Sequence, residues 1–150
     1  MRRGAFLAAV LGLVVSGPAQ ARACLDTEVL TAARLNEFAT MMMGVSLRCK
    51  AAGLDISPGY DAMLTAHRSI FAAADRRLRA FFAGERRAFD VYSTKLGNRY
   101  GAGATDPANC QRFERVAQGL SANVSVVALG RVVFAMVTQP HIDGEACIKP

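Results

Sequence analysis

Four cysteines set the tightest bounds on this chain. Cys24, Cys49, Cys110 and Cys147 are separated by 25, 61 and 37 residues, and none forms a Cys-x-x-Cys pair. That spacing lacks the signatures of thioredoxin-like redox centres, zinc ribbons and c-type haem attachment. An even number of scattered cysteines in an exported chain reads as two disulfides. Whatever the fold, it must bring distant segments together twice.

The start of the chain supplies the export signal. Met1-Arg2-Arg3 is a short basic region, and residues 5–15 are apolar apart from Gly12. Ser16-Gly17-Pro18 then breaks the run, and Ala21-Arg22-Ala23 has the small-x-small form of a cleavage site. The apolar run is well short of the roughly 20 residues that span a bilayer, so residues 1–23 read as a cleaved signal peptide. Arg2-Arg3 also fits twin-arginine export, although a basic pair is ordinary at this position. Cys24 stands where a lipid-modified cysteine would. Arg22 suits a lipoprotein signal poorly, and lipidation would leave an odd three cysteines.

Cleavage leaves residues 24–150 as a single domain large enough for a real core. The full chain has 18 basic and 12 acidic residues, a net charge of +6. Losing Arg2, Arg3 and Arg22 with no acid leaves 15 against 12, or +3. That charge is too mild to point to nucleic acid. No later segment is long and apolar enough to anchor the chain. Arginines outnumber lysines fifteen to three, which suggests a GC-rich bacterial genome and hence a periplasmic protein; otherwise it is secreted.

Helical punctuation runs through residues 24–150. From Thr27 to Ala51, polar residues recur every three or four positions at Thr27, Thr31, Arg34, Glu37, Thr40, Gly44 and Arg48. They read as one wet stripe on an otherwise apolar helix, capped by Asp26 and stopped at Gly53. Ser57-Pro58 opens a second helix, on which Tyr60, Met63, Leu64, His67, Ile70, Phe71, Ala74, Leu78, Phe81 and Phe82 keep a 3.6-residue rhythm. Phe89, Tyr92, Leu96 and Tyr100 resume it after Gly84. An unbroken helix from Pro58 to Tyr100 would be roughly 64 Å long. A compact domain of this size has a radius of gyration of only about 14 Å, so a break at Gly84 is expected. Asp106-Pro107 starts another helix, and the valine-rich stretch 124–137 is assigned to a buried helix over a strand. The expected fold is all-α: an antiparallel bundle of about four helices with two disulfides.

This layout selects the disulfide pairing. Cys24 and Cys49 sit at opposite ends of the first helix, roughly 37 Å apart. Bonded cysteines need Cα atoms within about 7 Å, so that pair is excluded. A turn at Gly84 carries the chain back towards Cys49 and favours Cys49–Cys110 with Cys24–Cys147. A straight helix would favour Cys24–Cys110 with Cys49–Cys147. The first set is expected.

Candidate chemistry is sparse. His67 lies on an apolar face with Tyr60, Met63 and Phe71, a possible small-ligand or metal pocket. No second ligand stands three or four residues away on that face, so a core histidine with one hydrogen bond is the simpler reading. His141, Asp143 and Glu145 put three potential ligands in five residues of the tail, too few for calcium. Met41-Met42-Met43 suggests a soft metal, but consecutive helical residues point about 100° apart and pack a core more readily. Asn123-Val-Ser125 is a glycosylation sequon, relevant only in a eukaryotic secretory pathway.

Arg76, Arg77, Arg79, Arg86, Arg87, Lys95 and Arg99 form a local cationic excess against Glu85 and Asp90. Arg76, Arg79, Arg86 and Arg87 are its expected partner face, for an acidic protein or an anionic membrane surface. No interleaved aromatics mark a nucleic-acid surface. The chain has no Gly-x-Ser-x-Gly, no His-Glu-x-x-His and no phosphate loop. No catalytic residue, cofactor or metal is therefore assigned. The leading expectation is a non-enzymatic interaction module, followed by a ligand or metal carrier at His67 and then by an enzyme of unknown type.

Overall fold

A computed structural model describes residues 24–148, the side chain of Arg86 excepted. The signal peptide expected over residues 1–23 lies outside the described residues. Six α-helices follow: α1 (Thr27–Ala51), α2 (Ser57–Ala66), α3 (Arg68–Phe81), α4 (Arg86–Gly101), α5 (Pro107–Ala122) and α6 (Val126–Met136). No strand occurs among the described residues; Leu25 and Ala146 form an isolated parallel bridge. The valine-rich stretch is helical but not buried as expected: Leu129 and Val133 are covered, whereas Val124, Val126, Val127 and Phe134 are exposed, because α6 packs by one face only. No described helix is long and apolar enough to cross a membrane.

The helix starts follow from short polar side chains. Asp26 caps α1 by accepting from the Val29 N–H at 2.7 Å, and Asp106 caps α5 through Asn109 at the same distance. Glu28 in the first turn of α1 and Arg48 and Lys50 in its last complement the helix dipole. Gly53 follows at φ +85°, a left-handed turn that favours glycine. Ser57 is not the cap of α2. It is the first helical residue, and Asp55 accepts from its N–H at 3.0 Å.

There are six helices where about four were expected, because two expected helices are each divided. The first division falls at His67 (φ −113°, ψ 21°), between α2 and α3. Its imidazole Nε2 lies 2.9 Å from the Leu120 carbonyl oxygen. Leu120 is in the last turn of α5, where carbonyls lack intrahelical partners, so His67 serves as a cap borrowed from another helix. The second division falls at Asn123, whose side chain accepts from the Ser125 N–H at 3.0 Å while Ser125 caps α6.

The chain also turns after α3, around Gly84. Phe81, Phe82, Phe89 and Tyr92 cluster there, with successive ring centroids 4.9 to 6.3 Å apart. The turn sends α4 back along α1. The disulfides join Cys49 to Cys110, with Cα atoms 5.7 Å apart, and Cys24 to Cys147, 4.9 Å apart.

α1 is the axis of the domain and touches each of the other five helices. One apolar cluster gathers Phe38, Met42, Met63, Ala117, Leu120, Leu129 and Val133 from α1, α2, α5 and α6. A second joins Val29, Ala33, Leu78, Tyr92 and Leu96 where α3 and α4 meet α1. A third surrounds the buried Cys49–Cys110 bond with Val45 and Ile56.

The polar stripe of α1 is not a wet face. Glu37 is fully buried and Gly44 is buried. Arg34 donates to the Thr138 carbonyl at 3.3 Å, and Arg48 to the Ala102 carbonyl at 2.6 Å. A Cβ at Gly44 would come within 2.7 Å of the Tyr100 carbonyl carbon. The stripe is a polar seam that receives the end of α4 and the C-terminal tail. Periodicity marks it as different from the apolar faces but cannot say that backbone, in place of water, lies against it.

Candidate functional site: an oriented histidine beside a basic helix

Glu37 is the centre of the seam. Its Oε1 accepts from the Tyr100 hydroxyl at 2.5 Å and lies 2.6 Å from His141 Nδ1. Its Oε2 accepts from the His141 backbone N–H at 2.7 Å. A buried carboxylate is costly unless its oxygens are hydrogen-bonded, and here three donors converge on them. The Tyr100 hydroxyl is held protonated well above the ordinary phenol range by burial and by its bond to Glu37. Tyr92, buried in the same helix and bonded to Asn36, is pushed up to about 12, chiefly by burial.

His141 is the exposed member of this group, with 48% of its side chain open to solvent. The carboxylate accepts from Nδ1, which fixes the tautomer, and Nε2 is left to carry the free lone pair. The tail is well held for this role. Pro140 is buried, the Ile142 N–H turns back to the Pro140 carbonyl at 3.1 Å, and Leu25 pairs with Glu145 and Cys147. The Cys24–Cys147 bond closes the arrangement.

Beside His141 is a shallow, open depression of about 640 Å³, lined in part by Lys95, Asn98 and Arg99 of α4 and by Asp143 of the tail. Lys95 and Asp143, both exposed, pair across it at 3.2 Å. The tail stretch His141-Asp143-Glu145 does not converge on a cation. His141 turns to Glu37, Asp143 to Lys95, and the Glu145 carbonyl accepts from Leu25. Among the described residues no three His, Cys, Asp or Glu side chains are grouped to hold a metal. Met41, Met42 and Met43 diverge: half-buried, buried and exposed in turn.

The residues singled out around His67 are packed. Met63 and His67 are buried, while Tyr60 and Phe71 are half-buried against the first apolar cluster. Burial raises the Tyr60 phenol above its ordinary range. His67 bonds the Leu120 carbonyl through Nε2, and its Nδ1 has no hydrogen-bond partner among the described residues. The depression beside His141 does not reach these residues, and nor does a second one on the outer face of α4.

The expected partner face divides into engaged and open arginines. Arg79 pairs with Asp75 at 2.8 Å and lies 4.3 Å over the Phe89 ring. Arg77, outside that face, is tied to Asp26 at 2.6 Å and to Glu28 at 3.4 Å. Arg76 and Arg87 are exposed and make no ion pair among the described residues. The Arg86 side chain lies outside the described residues. Arg68 is also exposed. On α3 the helical repeat places Arg68, Arg76 and Arg79 within an arc of about 80°.

The Glu37–His141 pair was invisible in the sequence because 104 residues separate the partners. Its nearest signal is Cys147, six residues after His141, which tethers the tail if it is oxidised. Compared with known proteins, the chain matches no family model, no curated protein and no solved structure.

Proposed function

We propose that this is an exported, non-enzymatic interaction module that docks an acidic protein partner through the open arginines of α3 and α4. The observation that carries the reading is the exposure of Arg68 and Arg76 on α3 and of Arg87 on α4, with no ion pair at Arg76 or Arg87 among the described residues. Arginines left without internal carboxylates are available for bidentate recognition of a partner's carboxylates. Such a surface speeds encounter more than it adds affinity, so binding should weaken as salt rises. The signal-like start of the chain and the two disulfides support export.

The test is crosslinking in the producing cell with Arg76, Arg79, Arg86 and Arg87 replaced by Glu. Loss of the crosslinked species, with the fold intact by circular dichroism, is the expected outcome. An unchanged set of crosslinked partners would remove this reading. Transfer of the wild-type protein to anionic vesicles in place of a protein would redirect it to a membrane surface.

A further inference from the structure

We infer that the depression beside His141 is a binding site for a small oxyanion, a phosphate or carboxylate group, independent of the arginine face on α3. Three observations converge there. Glu37, buried completely, directs its carboxylate at Nδ1 of a half-exposed imidazole. The carboxylate orients the ring from behind, as it does behind metal-bound histidines, and leaves Nε2 for a guest. The lining carries the cations Lys95 and Arg99 against Asp143, and the Glu37 carboxylate behind His141 is already satisfied by three donors, so the negative oxygens of a guest find two cationic donors there. Asn98 adds an amide beside them. The Lys95–Asp143 pair is exposed on both sides, and such pairs are weak, so an incoming oxyanion can take Asp143's place on Lys95.

The groups are complementary to one oxyanion. The Arg99 guanidinium and the Lys95 ammonium donate to its oxygens. His141 Nε2 accepts from a hydroxyl on the same guest, such as the P–OH of hydrogen phosphate or the hydroxyl of a hydroxy acid, or donates once protonated. The tail is held beside the depression by the His141 N–H bond to Glu37, the burial of Pro140 and the Cys24–Cys147 bond.

The chain has only two histidines, so imidazole NMR reads each site separately. Labelled, disulfide-intact protein is titrated with inorganic phosphate, and in parallel with acetate and with lactate, against sodium chloride at matched ionic strength. The expected result is a saturable shift of the His141 ring signals with His67 unmoved. Arg99→Ala should weaken binding about tenfold, the loss of one charge-assisted contact, while Arg76→Ala leaves it unchanged. Preference for phosphate over the two carboxylates, or the reverse, identifies which oxyanion the site takes. A linear drift matched by chloride, equal movement of both histidines, or an Arg99→Ala variant that titrates like the wild type would each overturn the inference. So would zinc ion saturating His141 where none of the anions does.

Discussion

The two histidines stand in opposite settings, although both are fixed by a single ring nitrogen. His67 is buried in the apolar cluster between α2, α3 and α5, and its bond goes to a backbone carbonyl. His141 is half-exposed on the polar seam, and its bond goes to a carboxylate. A carbonyl partner makes the imidazole a helix cap, and the remaining nitrogen faces packed side chains. A carboxylate partner makes it an oriented group whose remaining nitrogen can meet solvent or a ligand. The partner atom and the exposure of the second nitrogen, more than the histidine itself, separate a structural role from a chemical one.

The comparison can be broken or sharpened in order of expected effect. Replacing Cys24 and Cys147 with Ser should cost the most, about 4 kcal/mol in urea unfolding, because the bond ties together two ends 123 residues apart in sequence and closes a long loop even with Cys49–Cys110 intact. Its spectroscopic mark should fall on His141 and leave His67 in place. Glu37→Ala should follow at about 3 kcal/mol, since it strips the seam of the acceptor for Tyr100 and for both His141 donors. A loss below 1 kcal/mol would mean that water replaces the carboxylate without penalty. Gly44→Ala sets two effects against each other. Alanine gains about 1 kcal/mol of helix propensity, but its Cβ collides with backbone at Tyr100, which cannot yield as a side chain can. The net expectation is a loss of about 2 kcal/mol, and a stabilised variant would show that α4 can slide away.

His67→Leu should cost only about 1 kcal/mol. It removes the cap on the Leu120 carbonyl but also removes an unpartnered buried nitrogen, and the two offset in part. A loss larger than that of Glu37→Ala would reverse the ranking of the two settings. The tyrosines contribute nothing to pH dependence near neutrality and act only in alkali. All three are raised in the folded protein, Tyr92 to about 12 from the ordinary 10. Folding therefore favours the protonated phenols, and this stability is complete below pH 10 and is lost as pH rises from 10 towards 12. The chain has no tryptophan, so absorbance at 295 nm follows the phenolates directly. They should appear together with unfolding, and a titration complete near pH 10 in folded protein would contradict the burial of Tyr92.

Much of the scaffold was legible because its signals are local. Asp26 and Asp106 announce their helices through short side chains next to helical runs, and the structure finds both as caps. The turn near Gly84 followed from length alone. The seam was misread because its meaning is not local. Glu37, Gly44 and Arg48 obey the same spacing whether water or the end of α4 lies against them. The break at His67 was equally hidden, since its cause is an orphan carbonyl 53 residues away in α5. His141 was read only as one of three closely spaced potential ligands of the tail, because nothing around it in sequence names Glu37.

The disulfides nest: one spans residues 24 to 147, and the other, 49 to 110, lies inside it. Any single backbone cut between Cys24 and Cys147 therefore leaves the pieces covalently joined, and a cut between Cys49 and Cys110 leaves them joined twice. A protease that nicks the connection between α4 and α5 releases no fragment, so the clipped molecule keeps its mass, apart from one added water, until it is reduced. For a protein exposed to proteolysis, damage would then be registered as a new pair of chain ends and not as loss of the tail that carries His141.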